Sequence, residues 1–222
     1  MFVGMLIGYS AVFAVLTAVA CRPEWKQKYY IAAKTICSLA FGAIFLIASR
    51  KSGDDGQFLL MLPAFFCCIA GDVFMAVYNR YRKRRYFIGG LLTFLAGHLF
   101  FVRWLCQRQH LQIVDFLIPV FGVALAWMLM AKKNIHTGKL RPFIMIYAFF
   151  VALFFSKGMH LAITDFSVPN LMIAVGSGLF FASDISILFL YFYKSKGVKI
   201  HIFNLATYYY GMFLLASNFL FL

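Results

Sequence analysis

Eight times along this chain a run of about twenty apolar residues appears, each separated from the next by a short polar connector. About 20 such residues are needed to cross the ~30 Å hydrocarbon layer of a bilayer. With boundaries good to a few residues, the runs cover 3–20, 30–49, 58–78, 86–105, 113–131, 143–163, 170–193 and 202–221. They are continuous rather than alternating, and lipid requires backbone bonded within the segment, so they are read as helices. The expectation is an all-α integral membrane protein: one domain over 1–222, a single bundle of eight transmembrane helices. Composition agrees, since 64% of residues are hydrophobic and only 13% charged, against about a quarter charged in soluble domains. The first run lacks a basic leader and is followed by "CRPEWKQKYY", so it reads as a retained helix.

The net charge of +14 does not point to nucleic acid, because the charges lie in short runs between apolar spans instead of on one coherent basic face. Such placement sets orientation. The odd-numbered connectors carry fifteen Lys and Arg: Arg22, Lys26, Lys28; Arg80, Arg82, Lys83, Arg84, Arg85; Lys132, Lys133, Lys139, Arg141; Lys194, Lys196, Lys199. The even-numbered ones carry three, Arg50, Lys51 and Arg108. This bias places the odd connectors in the cytoplasm and both termini outside. Cys21, Cys37, Cys67, Cys68 and Cys106 have no metal-ligand spacing and read as small apolar fillers. Neither a metal nor a cofactor is expected.

An ionisable group at the bilayer centre costs at least ~2.5 kcal/mol and normally faces the bundle interior, partnered, at a site. Glu24, Asp54, Asp55, Asp115 and Asp165 fall in connectors or at span edges and read as solvated. Asp72 and Asp184 are deep. Given the orientation, both lie in the cytoplasmic half. At compatible depths stand Lys34, about one turn into span two, His98 near the middle of span four, Tyr147, Ser183, and the "NLATYYYG" of span eight. There Asn204, Tyr208 and Gly211 share one helix face and Tyr209 flanks it. Each has a plain structural alternative. Asp72 and Asp184 can pair with Lys34 as interhelical glue. Lys34 can extend to the headgroups. His98 can be a satisfied core histidine, and the tyrosines an interfacial belt. Arg103, Lys157 and His160 read as headgroup contacts near the outer face. "CCIAGDVF" in span three and "LFFASDIS" in span seven echo each other; a parallel duplication of four helices produces such an echo, and so does chance.

"AGDVFMAV", "LTFLAGHLFF", "GSGLFFASDISILF" and "NLATYYYG", preceded by the lysine of "AAKTICSL", together resemble the YhhN-type lysoplasmalogenase family, in order and over nearly the whole chain. The resemblance implies an eight-helix membrane hydrolase. It would cleave the vinyl ether of a lysoplasmalogen to a fatty aldehyde and a glycerophospho-alcohol. Its acidic positions fall on Asp72 and Asp184, expected to be catalytic; its lysine, histidine and tyrosine pair fall on Lys34, His98, Tyr208 and Tyr209. Tyr147, Ser183 and Asn204 join these as assisting residues. Phe101 stands where the family pattern has a tyrosine, and Met212 where it has a glutamine. Both put substrate recognition in doubt more than the chemistry. The expected partners are a lysophospholipid substrate and membrane lipid. The expected location is a bacterial cytoplasmic membrane, with the cavity in the cytoplasmic half.

The chemistry suits the residues. Vinyl ether hydrolysis needs a proton delivered to carbon and a negative group to stabilise the oxocarbenium ion, and two carboxylates in different environments supply both. Two other readings compete. Intramembrane Asp, Lys and His also build proton-coupled carriers, although these usually have helices broken at midspan. All five prolines read as lying in connectors or near span ends, and "AVGSGLF" is the one candidate break. The second reading is a non-catalytic lipid-binding protein.

Overall fold

A computed structural model describes residues 1–131, 137–192 and 198–222. Lys132, Lys133, Lys194, Lys196 and the last residue of span seven lie outside the described residues, as does the side chain of Lys139. The helices are α1 (Phe2–Cys21), α2 (Pro23–Ser52), α3 (Asp55–Tyr81), α4 (Arg84–Arg108), α5 (Leu117–Met130), α6 (Arg141–Thr164), α7 (Val168–Phe192) and α8 (Val198–Ser217). Short 3₁₀ turns precede α5 (Ile113–Phe116) and α6 (Gly138–Leu140) and follow α8 (Asn218–Phe221). No strand occurs among the described residues. Seven of these segments are long and apolar enough to span a bilayer. The exception is α8, whose first two turns hold Lys199, His201 and Asn204. The architecture is that of a multi-pass membrane protein.

The helices outrun the apolar runs because the polar flanks are themselves good helix starts and stops. Pro23 supplies a pre-set φ in the first turn of α2, so that helix begins well before residue 30. It ends at Gly53, whose left-handed φ of 72° closes the C-cap on Ser49. Asp54 caps α3 by accepting from Gln57 N at 3.0 Å and Gln57 Nε2 at 2.7 Å. Hydrogen bonds from the Gln57 backbone N–H, the main cause, and from its side-chain amide hold this carboxyl below the usual range. Two expectations change. Lys34 lies about three turns from the start of α2, because the helix begins in the polar flank, and its ammonium is turned to Asp72 and not outward. Pro63 lies within α3, which nonetheless runs unbroken from Asp55 to Tyr81.

Packing closes six helices into a ring, α2–α3–α4–α6–α7–α8 and back to α2, with α1 lying on α2 and α8, and α5 on α6. The two halves of the chain repeat one scheme. The pairs α1–α2, α2–α3, α3–α4 and α4–α6 correspond to α5–α6, α6–α7, α7–α8 and α8–α2. The correspondence reaches single residues. A shift of 112 positions carries Asp72 to Asp184, Ala64 to Gly176 and Cys68 to Phe180, and a shift of 114 carries Gly97 to Gly211. A methyl group at Gly97 would stand 3.1 Å from Cys68 Sγ and 3.5 Å from the Ala64 carbonyl. At Gly211 it would stand 2.9 Å from the Gly176 carbonyl and 3.2 Å from Phe180 N. The echo between spans three and seven is therefore present in the packing.

Lipid offers no hydrophobic drive to bring helices together, so close packing must do it. The interior is largely aromatic. Phe45 stacks on Phe65 with centroids 4.3 Å apart, Phe101 stacks on Phe154 at 4.8 Å, and Phe180 meets Tyr208 edge-on at 5.1 Å. Such pairs add about 0.5–1.5 kcal/mol each beyond area burial.

Candidate active site

Asp72, on α3, sits in a pocket closed by α2 and α8. Lys34 Nζ is 2.9 Å from Oδ1, as a charge contact beside the carboxylate and not an aligned hydrogen bond. Ser38 Oγ donates to Oδ2 at 2.6 Å and Tyr208 OH at 2.8 Å. Behind them, Tyr209 OH lies 3.0 Å from Ser38 Oγ and donates to the Lys34 carbonyl at 3.1 Å. Tyr9 of α1 donates to the Tyr209 carbonyl at 3.0 Å. This is a closed arrangement in which an ammonium and two hydroxyl donors all converge on one carboxyl group.

Asp184, on α7, sits in the equivalent pocket between α6 and α4. Tyr147 OH donates to Oδ2 at 3.0 Å. His98 Nε2 lies 3.5 Å from the same oxygen. The other ring nitrogen, Nδ1, is 2.8 Å from the Phe94 carbonyl, which can only accept. Nδ1 therefore carries a hydrogen, and in the neutral ring Nε2 presents a lone pair to Asp184. At 3.5 Å the two groups are close but not hydrogen-bonded. Among the described residues no Lys or Arg forms an ion pair with Asp184.

The two carboxylates form neighbouring clusters. Phe180 touches both, with its ring 4.6 Å from His98 and 5.1 Å from Tyr208. The clusters differ in access. Asp184 and Tyr147 line an apolar crevice of about 600 Å³, mouth included, walled by Leu91, Leu125, Ala126, Val151 and Phe181. Asp72 does not line it.

Of the expected site residues, Lys34, Tyr208 and Tyr209 gather around Asp72, while His98 and Tyr147 gather around Asp184. Ser183 and Asn204 instead hold each other. Asn204 Nδ2 donates to Ser183 Oγ at 2.8 Å and to its carbonyl at 2.9 Å, tying α7 to α8. Two residues were missed. Ser38 stands one turn from Lys34, so its face was readable from spacing. Tyr9 gives no such signal.

A further correction concerns the opposite end of the helices. Asp115 and Lys157 were read as solvated and as a headgroup contact, yet both side chains are fully buried and 3.3 Å apart. Lys157 also donates to Gln109 Oε1 at 3.3 Å and to the His110 carbonyl at 3.2 Å. His160 Nδ1 is 2.7 Å from Asp115 Oδ1, and Gln112 N donates to Oδ2 at 2.8 Å. The turn before α5 folds back on α6, and that tertiary contact buries a connector aspartate. Arg103 is exposed.

Residues 27–219 match the model of the YhhN family, a stretch that takes in every one of these residues except Tyr9. The chain belongs to the YhhN family. No curated protein and no solved structure matches it. Within this YhhN protein the two departures noted from the sequence are fully buried. Phe101 stacks on Phe154, and Met212 fills the core near Tyr208 and Tyr209.

Proposed function

We propose that this YhhN protein is a membrane hydrolase that cleaves the vinyl ether bond of a lysoplasmalogen. The supporting observation is Asp184, held by Tyr147 beside His98 at the inner end of an apolar crevice, with no Lys or Arg ion-paired to it among the described residues. Family membership supports the same lysoplasmalogenase-like role.

The substrate's alkenyl chain enters the crevice between α5 and α7. Asp184, in its acid form, delivers its proton to the vinyl carbon remote from oxygen. The C=C electrons form the new C–H bond, and the ether oxygen shares the resulting positive charge as an oxocarbenium ion. The Asp184 carboxylate left behind stabilises that cation. Water adds to the charged carbon and gives up a proton to His98 or Asp184, which restores the acid. The hemiacetal then breaks its C–O bond, releasing fatty aldehyde and the glycerophospho-alcohol. Tyr147 fixes the carboxyl orientation. Proton delivery of this kind is worth ~10²–10⁴-fold.

Asp72 takes the second role, a fixed carboxylate whose charge Lys34 balances. It holds α2, α3 and α8 together so that Tyr208 and Phe180 back the His98 ring. The excess of Lys and Arg in the odd connectors supports a cytoplasmic-half location for both clusters and external termini. A carrier is less well supported, because α3 continues through Pro63 and α7 through its glycines.

The test is aldehyde release by purified protein given lysoplasmalogens with ethanolamine and choline heads. Asp184→Asn should lose at least about 100-fold with unchanged thermal stability. Wild-type turnover by that variant would overturn the assignment.

A further inference from the structure

The ring carries a second opening, at the end where α1, α3 and α7 finish and α2, α4 and α8 begin. Two cavities share its walls. One, of about 550 Å³, is lined by Lys26, Asn79, Arg82, Tyr191 and His201 among others. The other, of about 1080 Å³, adds Gln27, Tyr30 and Arg80. Lys26, Asn79 and Arg82 face both. Among the described residues no Asp or Glu lines either one, so the cations face one another without a counter-charge.

The walls are built rather than loose. Tyr191 OH donates to Asn79 Oδ1 at 3.2 Å, and Asn79, whose amide N–H groups have no protein acceptor among the described residues, lines both cavities. His201 Nε2 pairs with Tyr30 OH at 3.3 Å. Arg80 is drawn aside, donating to the Gln27 carbonyl at 2.6 Å. Arg82 ends α3 with φ of 55°, a left-handed conformation that non-glycine residues adopt rarely and that gathers at functional sites. Beneath the opening, Tyr30 is one turn from Lys34, and Ala76 is one turn from Asp72. The opening is thus the polar approach to the Asp72 side of the bundle, as the crevice is the apolar approach to Asp184.

We propose that Lys26, Arg82, Asn79 and His201 form an anion site that takes a phosphodiester, either the headgroup of a membrane-borne lysophospholipid or a free glycerophosphodiester. Arg offers a planar fork that fits two phosphate oxygens, Lys a point charge, and Asn79 and His201 neutral donors. The choice of a phosphodiester among anions rests on the reaction proposed above. The cluster of cations and neutral donors without a facing carboxylate does not.

The test measures binding of two probes to purified full-length protein by calorimetry. One probe is free glycerophosphoethanolamine; the other is a saturated-ether lysophosphoethanolamine, which has no vinyl bond to cleave. Glycerol and ethanolamine serve as blanks. At least one phosphodiester should bind, and Lys26→Ala and Arg82→Ala should each weaken it by about tenfold or more, with Arg82→Lys falling between. Binding of the free diester assigns the site to a soluble ligand, and binding of the lipid alone assigns it to the headgroup. If neither binds, or both bind the Lys26→Ala/Arg82→Ala double variant as they bind the wild type, the site does not exist. The two proposals fail separately. Probe binding without aldehyde release from a lysoplasmalogen removes the reaction and leaves the site. Aldehyde release with both probes bound by the Lys26→Ala/Arg82→Ala double variant as by the wild type removes the site and leaves the reaction.

Discussion

Replacing Lys34 by Met separates a structural from a catalytic role for Asp72. The two side chains are 10% and 1% exposed, with N and O 2.9 Å apart. At an effective dielectric of about 20 their gross attraction is about 6 kcal/mol. Without the ammonium, Asp72 keeps the Ser38 and Tyr208 hydroxyls but holds an uncompensated buried charge, or must take up a proton. The single variant should therefore lose about 3–5 kcal/mol. The double variant Lys34→Met/Asp72→Asn removes both charges. It should recover most of that loss, giving a coupling of at least about 2 kcal/mol in a double-mutant cycle. The assay is unfolding in detergent, with aldehyde release measured on the same samples. Because Asp72 is assigned no proton transfer, the double variant should keep activity within about tenfold of wild type, against the loss of ~10²-fold or more in Asp184→Asn. Additive single effects would show that the pair does not interact. A double variant as stable as wild type but inactive would show that Asp72 takes part in the chemistry.

Three more outcomes follow from packing and capping. Gly211→Ala places a methyl 2.9 Å from the Gly176 carbonyl and 3.2 Å from Phe180 N, both backbone atoms; it should cost about 2 kcal/mol or more, while Gly4→Ala, with open space around it, should be neutral by the same melting assay. Asp115→Asn leaves Lys157 buried without its carboxylate and should cost about 3–5 kcal/mol; a change below about 0.5 kcal/mol would restore the solvated reading. Asp54 has its folded pKa below its unfolded one, so its cap stabilises above the unfolded pKa and that stability is lost as pH falls through the folded one. Asp54→Ala should therefore lower the melting temperature at pH 7, with the difference shrinking in acid.

The helices were legible because lipid enforces long uninterrupted apolar runs, and a residue such as Asp184 within one is conspicuous. Their ends were not, since Pro23 and Asp54 start helices in polar sequence that hydropathy discards. Neighbours were partly legible as well; Lys34 and Tyr208 do reach Asp72, and His98 and Tyr147 do reach Asp184. Which side each faces depends on the angle between helices, and that hid the division into two clusters with Phe180 between them. Asp115 failed for the same reason. Its sequence neighbours are those of a loop, and only the fold-back onto α6 brings Lys157 and His160 to it. Ser183 and Asn204 were well placed in depth, but they spend their hydrogen bonds on each other.

A backbone plan used twice supplies its interior with two acid positions of the same pedigree. What distinguishes them is the side chain that the preceding helix of each half sends across, an ammonium in one case and a phenol in the other. The ammonium balances the charge of its carboxyl; the phenol only bonds the other and brings no counter-charge. If the proposed division of labour holds, moving the positive charge from α2 to α6 is the shortest route by which such a chain could exchange the roles of its halves.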